Sequence, residues 1–97
     1  MVVGVCRLLL LLPENGDLKG KRRLAQSITS RVRNRFPVAI AEVEDNDLWQ
    51  RLTLGVSCVG NNARHVNAVL SRVVSFVQQM KGDAEFLDYE LEIIPAL

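Results

Sequence analysis

The run from Val2 to Leu12 is rich in valine and leucine, with only Gly4, Cys6 and Arg7 set among them. It is too short for a typical buried helix and is apolar on both parities. A strand hydrophobic on both faces belongs in the middle of a sheet, so this segment predicts a central strand. The cluster Pro13-Glu14-Asn15-Gly16-Asp17 ends it in a turn. The rest of the chain must cover that strand, and 97 residues leave room for one core. Material for a dense core is present, since the chain is 48% hydrophobic.

Leu18 to Arg35 reads as a helix, with Leu24, Ala25, Ile28 and Val32 on one side and Asp17 as its N-cap. Phe36-Pro37 stops it, because a residue before proline is pushed out of the α region. Val38 to Glu44 is a short strand, Asp45-Asn46-Asp47 turns the chain, and Leu48 to Val59 alternates as the second arm of a hairpin. Asn61 or Asn62 caps a second helix, Ala63 to Lys81, whose stripe runs through Val66, Val69, Leu70, Val73, Phe76, Val77 and Met80, with Gly82 as the expected C′ residue. Glu85 to Ile93 alternates as a half-exposed strand, with Leu87, Tyr89, Leu91 and Ile93 against Phe86, Asp88, Glu90 and Glu92.

The order βαββαβ predicts an α+β, ferredoxin-like domain over residues 1–97. It is expected to be a four-stranded antiparallel sheet of order 4-1-3-2 with both helices on one face. Parity then puts Cys6, Leu8, Leu10, Leu52, Leu54, Val56 and Cys58 under the helices. The open face is expected to carry Val3, Val5, Arg7, Leu9 and Leu11 from the first strand and Trp49, Arg51, Thr53 and Ser57 from the third. The second strand would add Val38, Ile40, Glu42 and Glu44 to it, and the fourth Asp88 and Glu90. Such a partly apolar, partly ionic face suits homodimerisation first and a ligand or peptide second. The bland alternative is an exposed sheet laced by Arg–Glu pairs.

Net charge is +1, but it is divided along the chain. Residues 1–35 hold eight Lys and Arg against two acids, and residues 36–97 hold four against nine. The sharpest local anomaly is Lys19-Gly20-Lys21-Arg22-Arg23, which sets four cations at the start of a helix, the pole whose dipole favours anions. Lys19, Arg22, Arg23 and Arg33 share a solvent side, flanked by Arg31 and Arg35. With Lys21 they are the candidate anion or RNA-backbone site, through free N–H groups and cations together. The alternative is a solvated helix face eased by Glu14 and Asp17. Base reading on the sheet is not expected, because the first strand has no aromatic residue and the third offers only Trp49. No DNA specificity is expected either.

No catalytic residue, metal or cofactor is expected. The chain lacks nucleophile-elbow, Walker and dinucleotide motifs. Acyl-phosphate hydrolysis on this topology would need a glycine-rich cradle after the first strand, and the loop there has one glycine. His65 stands alone, and Glu44, Asp45 and Asp47 are an ordinary acidic turn. Cys6 and Cys58 read as buried thiols of a reducing cytoplasm. No membrane span and no signal peptide are expected.

Several segments together resemble the YlxP-like bacterial proteins of unknown function. They are Val3-Gly4-Val5 with the leucine run, then Leu18-Lys19-x-Lys21-Arg22-Arg23, then Arg31-x-Arg33-x-Arg35-Phe36. Val38-Ala39-Ile40-Ala41-Glu42-Val43, Asp47-Leu48-Trp49-Gln50-Arg51 and Leu54-Gly55-Val56 complete the likeness. Gly20, where a helix former is usual, and Pro37 depart from it. The resemblance implies a ferredoxin-like fold, a small cytoplasmic protein and a ribosome-linked role, because such genes often neighbour translation and ribosome-assembly genes. It carries over no catalytic residue. The expectation is a non-catalytic, dimeric module that meets ribosomal RNA or ribosome-assembly factors. The competing expectation is a homodimeric interaction protein that uses Val3, Val5, Arg7, Leu9, Trp49 and Arg51 on the sheet face.

Overall fold

A computed structural model describes residues 1–80 and 82–97. The elements follow in the order β1 (Val2–Leu11), α1 (Leu18–Arg35), β2 (Ala39–Glu44), β3 (Arg51–Gly60), α2 (Ala63–Gln78) and β4 (Glu85–Pro95). The sheet is antiparallel with order β2-β3-β1-β4, which is 4-1-3-2 counted from the other edge. The apolar run at the N-terminus is therefore central, paired with β3 through Leu8↔Leu54 and with β4 through Leu8↔Tyr89. Asp17 caps α1 by accepting from the Gly20 N–H at 2.7 Å, and Asn62 caps α2 by accepting from the His65 N–H at 2.8 Å.

The core is a single sandwich layer. Cys6, Leu8 and Leu10 of β1 and Leu52, Leu54, Val56 and Cys58 of β3 are buried against Ala25, Ile28 and Val32 of α1 and the valine-rich stripe of α2. Gly4 is where β1 comes closest to α2. A Cβ there would lie 2.4 Å from Val66 Cγ1 and 2.6 Å from Leu70 Cδ1, so the helix can seat only on a bare backbone. Burial pushes the Cys6 thiol up to about 11 and raises that of Cys58.

The structure corrects the expected edges and faces in four places. Strand β2 turns Ile40 inward, buried opposite Val56, and Glu42 sits opposite Leu54 on the same helix-covered side. Val38, placed with them on the open face, instead packs against the core. A register shift between Glu42 and Glu44 leaves Val43 unpaired and returns Glu44 to the open face beside Thr53. A bulge inverts parity within one strand, which simple alternation cannot follow. The same happens in β4, where Leu87 is skipped between Leu9↔Asp88 and Leu10↔Phe86, so Phe86 joins the core side and Leu87 stands 54% exposed. Strand β3 starts at Arg51, which leaves Trp49 in the preceding turn. Finally, α2 ends with Gln79 as its cap, so Gly82, at φ 146°, lies beyond the C′ position. The expected end at Lys81 lies outside the described residues.

Lys21 is the main correction among the candidate site residues. It is 1% exposed. Its position on α1 falls between Ala25 and Ile28 on the inward face, and its stem passes under the β2–β3 hairpin. The ammonium donates to the backbone oxygens of Asp45 and Leu48, the latter at 2.6 Å, and lies 2.9 Å from Glu42 Oε2. Two of its protons are thus bound by carbonyls, and Glu42 pairs with it by charge, its buried Oε2 accepting no hydrogen bond among the described residues. Asp45 itself sits at φ 60°. Its carboxylate accepts from Thr53 Oγ1 at 2.7 Å and pairs with Arg51 Nε at 3.0 Å, so the hairpin turn is held from both sides. Lys21 is thus a structural tie and not part of any RNA surface.

Three outcomes follow for stability. Lys21→Ala strands the Glu42 carboxylate and two carbonyls, and should lower the free energy of urea unfolding by about 3 kcal/mol. Arg23→Ala, on the exposed side of α1, should stay within about 0.5 kcal/mol. A Lys21 loss no larger than that of Arg23 would show that the tie is weak. Gly4→Ala forces α2 off the sheet and should cost about 1–3 kcal/mol in the same measurement.

Candidate nucleic-acid interface

The expected cations of α1 divide into four groups once the helix is seated. Lys19, Arg22 and Arg23 are exposed on the first turns and make no ion pair or side-chain hydrogen bond with other described residues. The nearby Asp17 carboxylate is engaged in capping. Arg33 reaches the strand edge, where Nη2 donates to the Ile40 oxygen at 2.8 Å and blunts β2 as a template for pairing. Arg31 and Arg35 lie on the side of α1 that faces α2, and the Arg35 guanidinium carbon sits 5.0 Å from the centre of the Phe76 ring. Lys21 is inside, as described above.

Neither helix contains an aspartate or a glutamate. Every acid of the chain is in a strand or a connecting segment. The molecule is therefore divided by layer rather than by chain half, with the helix layer cationic and the acids gathered at the sheet and its turns. The sequence divides the charge at residue 35 and leaves open a basic helix lying near acidic strands, which is the arrangement found, with both helices free of acids. Sequence reading missed Arg72, which is exposed on α2 and lines a groove with Arg35 and Phe76. The available signal was the absence of carboxylates from both helical segments.

The open sheet face has two ends. At one, Arg7 bridges two strands by pairing with Glu44 and, at 2.7 Å, with Glu90. These carboxylates, Glu44 first, raise the Arg7 pKa above its ordinary value. Arg51 with Asp45 and Thr53 completes a closed ionic network there. At the other end Ile94, Val3 and Val59 form a row across three strands, with Val59 66% and Ile94 39% exposed. Val5 is half-buried between the two ends, and Leu9 is half-buried within the ionic end, opposite Thr53 and Asp88. Trp49 lies off the end of β3, at the margin of this face beside Leu11 and Arg51. It is exposed in the turn beside Leu48, where the Asn15 side-chain amide donates to its backbone oxygen. Among the described residues no cluster of three or more His, Cys, Asp or Glu could hold a metal.

Residues 3–91 match the family described as a protein of unknown function, DUF503. The chain is 32% identical over 76 residues to the uncharacterized protein YlxP of Bacillus subtilis (strain 168), an alignment that covers 78% of this chain and 83% of that protein. The family match runs through the central strand, the basic helix and the hairpin that Lys21 ties down, and with the YlxP likeness it places the chain in the DUF503 family of proteins of unknown function.

Proposed function

We propose that the protein is a non-catalytic module that binds RNA backbone through its helix layer, with Lys19, Arg22 and Arg23 at the start of α1 as the main anchors. The observation that carries this reading is the layer-wise charge division. Cations fill the outer surface of α1 with no carboxylate on either helix, at a pole of the dipole where they cost stability. A polyanion would pair with these cations beside the pole that Asp17 caps. Acids on the opposite side would orient it by repelling the wrong face. We take ribosomal RNA as the partner and ribosome assembly or translation as the role, following the expectation drawn from the sequence resemblance. With no aromatic side chain on the open faces of β1 and β3, the sheet offers no base-stacking platform, and binding through the cations is sensitive to salt.

Binding to ribosomal RNA across a salt series tests this in the parent and in Lys19→Glu/Arg22→Glu/Arg23→Glu, with Lys21 left intact to preserve the hairpin. Affinity should fall at least about tenfold near 0.1 M salt, and the salt slope should flatten by about 0.7–0.9 for each phosphate that is no longer neutralised. An unchanged affinity and slope would overturn the proposal.

A second reading makes the open sheet face a homodimer interface. The exposed row Ile94–Val3–Val59 favours it, since contiguous bare apolar surface usually has an occupant. Val3→Arg should then convert a dimer to a monomer by solution mass, and a parent that is already monomeric would refute it.

A further inference from the structure

α1 and α2 run antiparallel, with Arg35 beside the middle of α2 and Leu24, Ser27 and Ile28 beside Val77 and Met80. Where the last residue of α1 and the Phe36–Pro37 connection meet α2 lies a groove of about 580 Å³. Its charged side chains are Arg35 and Arg72, and no carboxylate lines it. Phe76 forms part of its floor. The ring is held edge-on by Phe36, with centroids 5.5 Å apart and planes at 70°, and Arg35 sits over it. The aromatic ring thereby holds one guanidinium in place before any ligand arrives. Preorganisation of that kind cuts the ordering cost of binding. Ser71, Ser75 and Gln79 add uncharged donors along the α2 wall.

Resting on the RNA-binding reading above, we propose that this groove takes a single-stranded segment of the bound RNA. Arg35 and Arg72 receive its phosphates, and one base stacks on the Arg35–Phe76 pair. Cationic grooves with a stacking platform are the general solution for single strands, because every base has a π-face. A duplex keeps its bases stacked on one another and cannot offer one to the platform. Its phosphates meet the convex start of α1 instead. Arg31, on the α1 side that faces α2, lies between the two regions in a separate hollow that it shares with Asp83.

Fluorescence anisotropy with two labelled probes tests this, one a single-stranded oligouridine of about a dozen nucleotides and the other an RNA duplex of matching length. Arg35→Gln/Arg72→Gln should weaken the single strand about tenfold or more and the duplex less than about threefold. Phe76→Leu, which keeps an apolar side chain beside Phe36, should weaken the single strand about fivefold and leave the duplex unchanged. Equal losses on both probes, or none on the single strand, would overturn the groove assignment. If Lys19→Glu/Arg22→Glu/Arg23→Glu still weakens both probes in that case, the helix layer remains an RNA surface and only the groove is wrong. A parent that binds neither probe nor ribosomal RNA would remove both proposals together.

Discussion

A buried ammonium joins the first helix to the hairpin. Lys21 reaches from α1 to two backbone oxygens of the Asp45–Leu48 turn and to Glu42, and so fixes β2 and β3 against the helix that precedes them. A charge at 1% exposure is tolerated only when it is paired and hydrogen-bonded, here by Glu42 and by two carbonyls. The bulge at Val43 provides the carboxylate, because it keeps Glu42 on the helix side while Glu44 returns to the open face. The tie and the bulge depend on each other. Asp45, held at φ 60° by Thr53 and Arg51, aims its carbonyl at the ammonium. The open-face ionic network and the buried tie are thus two sides of one turn.

Fixing Lys21 inward also decides what α1 shows to solvent. At 100° per residue, a helix with Lys21, Ala25, Ile28 and Val32 facing the sheet must turn Lys19 and Arg23 away from it. Arg22 falls toward the β2 side with Arg33, and Arg31 and Arg35 fall toward α2. The cationic surface therefore follows from seating the helix and needs no arrangement of its own. Its contrast with the acidic strands comes from a choice made in the sequence, which omits carboxylates from both helices altogether. Self-repulsion among exposed arginines disfavours such a layer, and a polyanion would relieve it.

Most of the fold was legible because its signals are local. Turn clusters, two N-caps and a 3.6-residue stripe locate α1 to the residue and α2 to within its last turn. Parity on β1 and β3 identified the buried side of both central strands. Parity failed on the two edge strands, where Val43 and Leu87 each insert an unpaired residue. A bulge depends on what the neighbouring strand can accept, and one strand read alone does not carry that information. The site was legible as a composition and not as a surface. A run of Lys and Arg announces charge, but Lys21 differs from Lys19 and Arg22 only in its angle about the helix axis. Arg72 was passed over because α2 is dominated by its apolar stripe.

The sequence by itself determined the order of elements, the central place of the leucine-rich strand, the capped starts of both helices and the family. Each of these rests on periodicity, on capping chemistry or on matching residues along the chain. Only the tertiary structure decided which lysine is buried, which face Ile40 and Glu42 join, and that Arg35 and Arg72 share one groove. Those outcomes depend on residues far apart in the chain meeting one another. Such meetings are set when strands choose their register and helices seat on the sheet, and no local pattern encodes that choice.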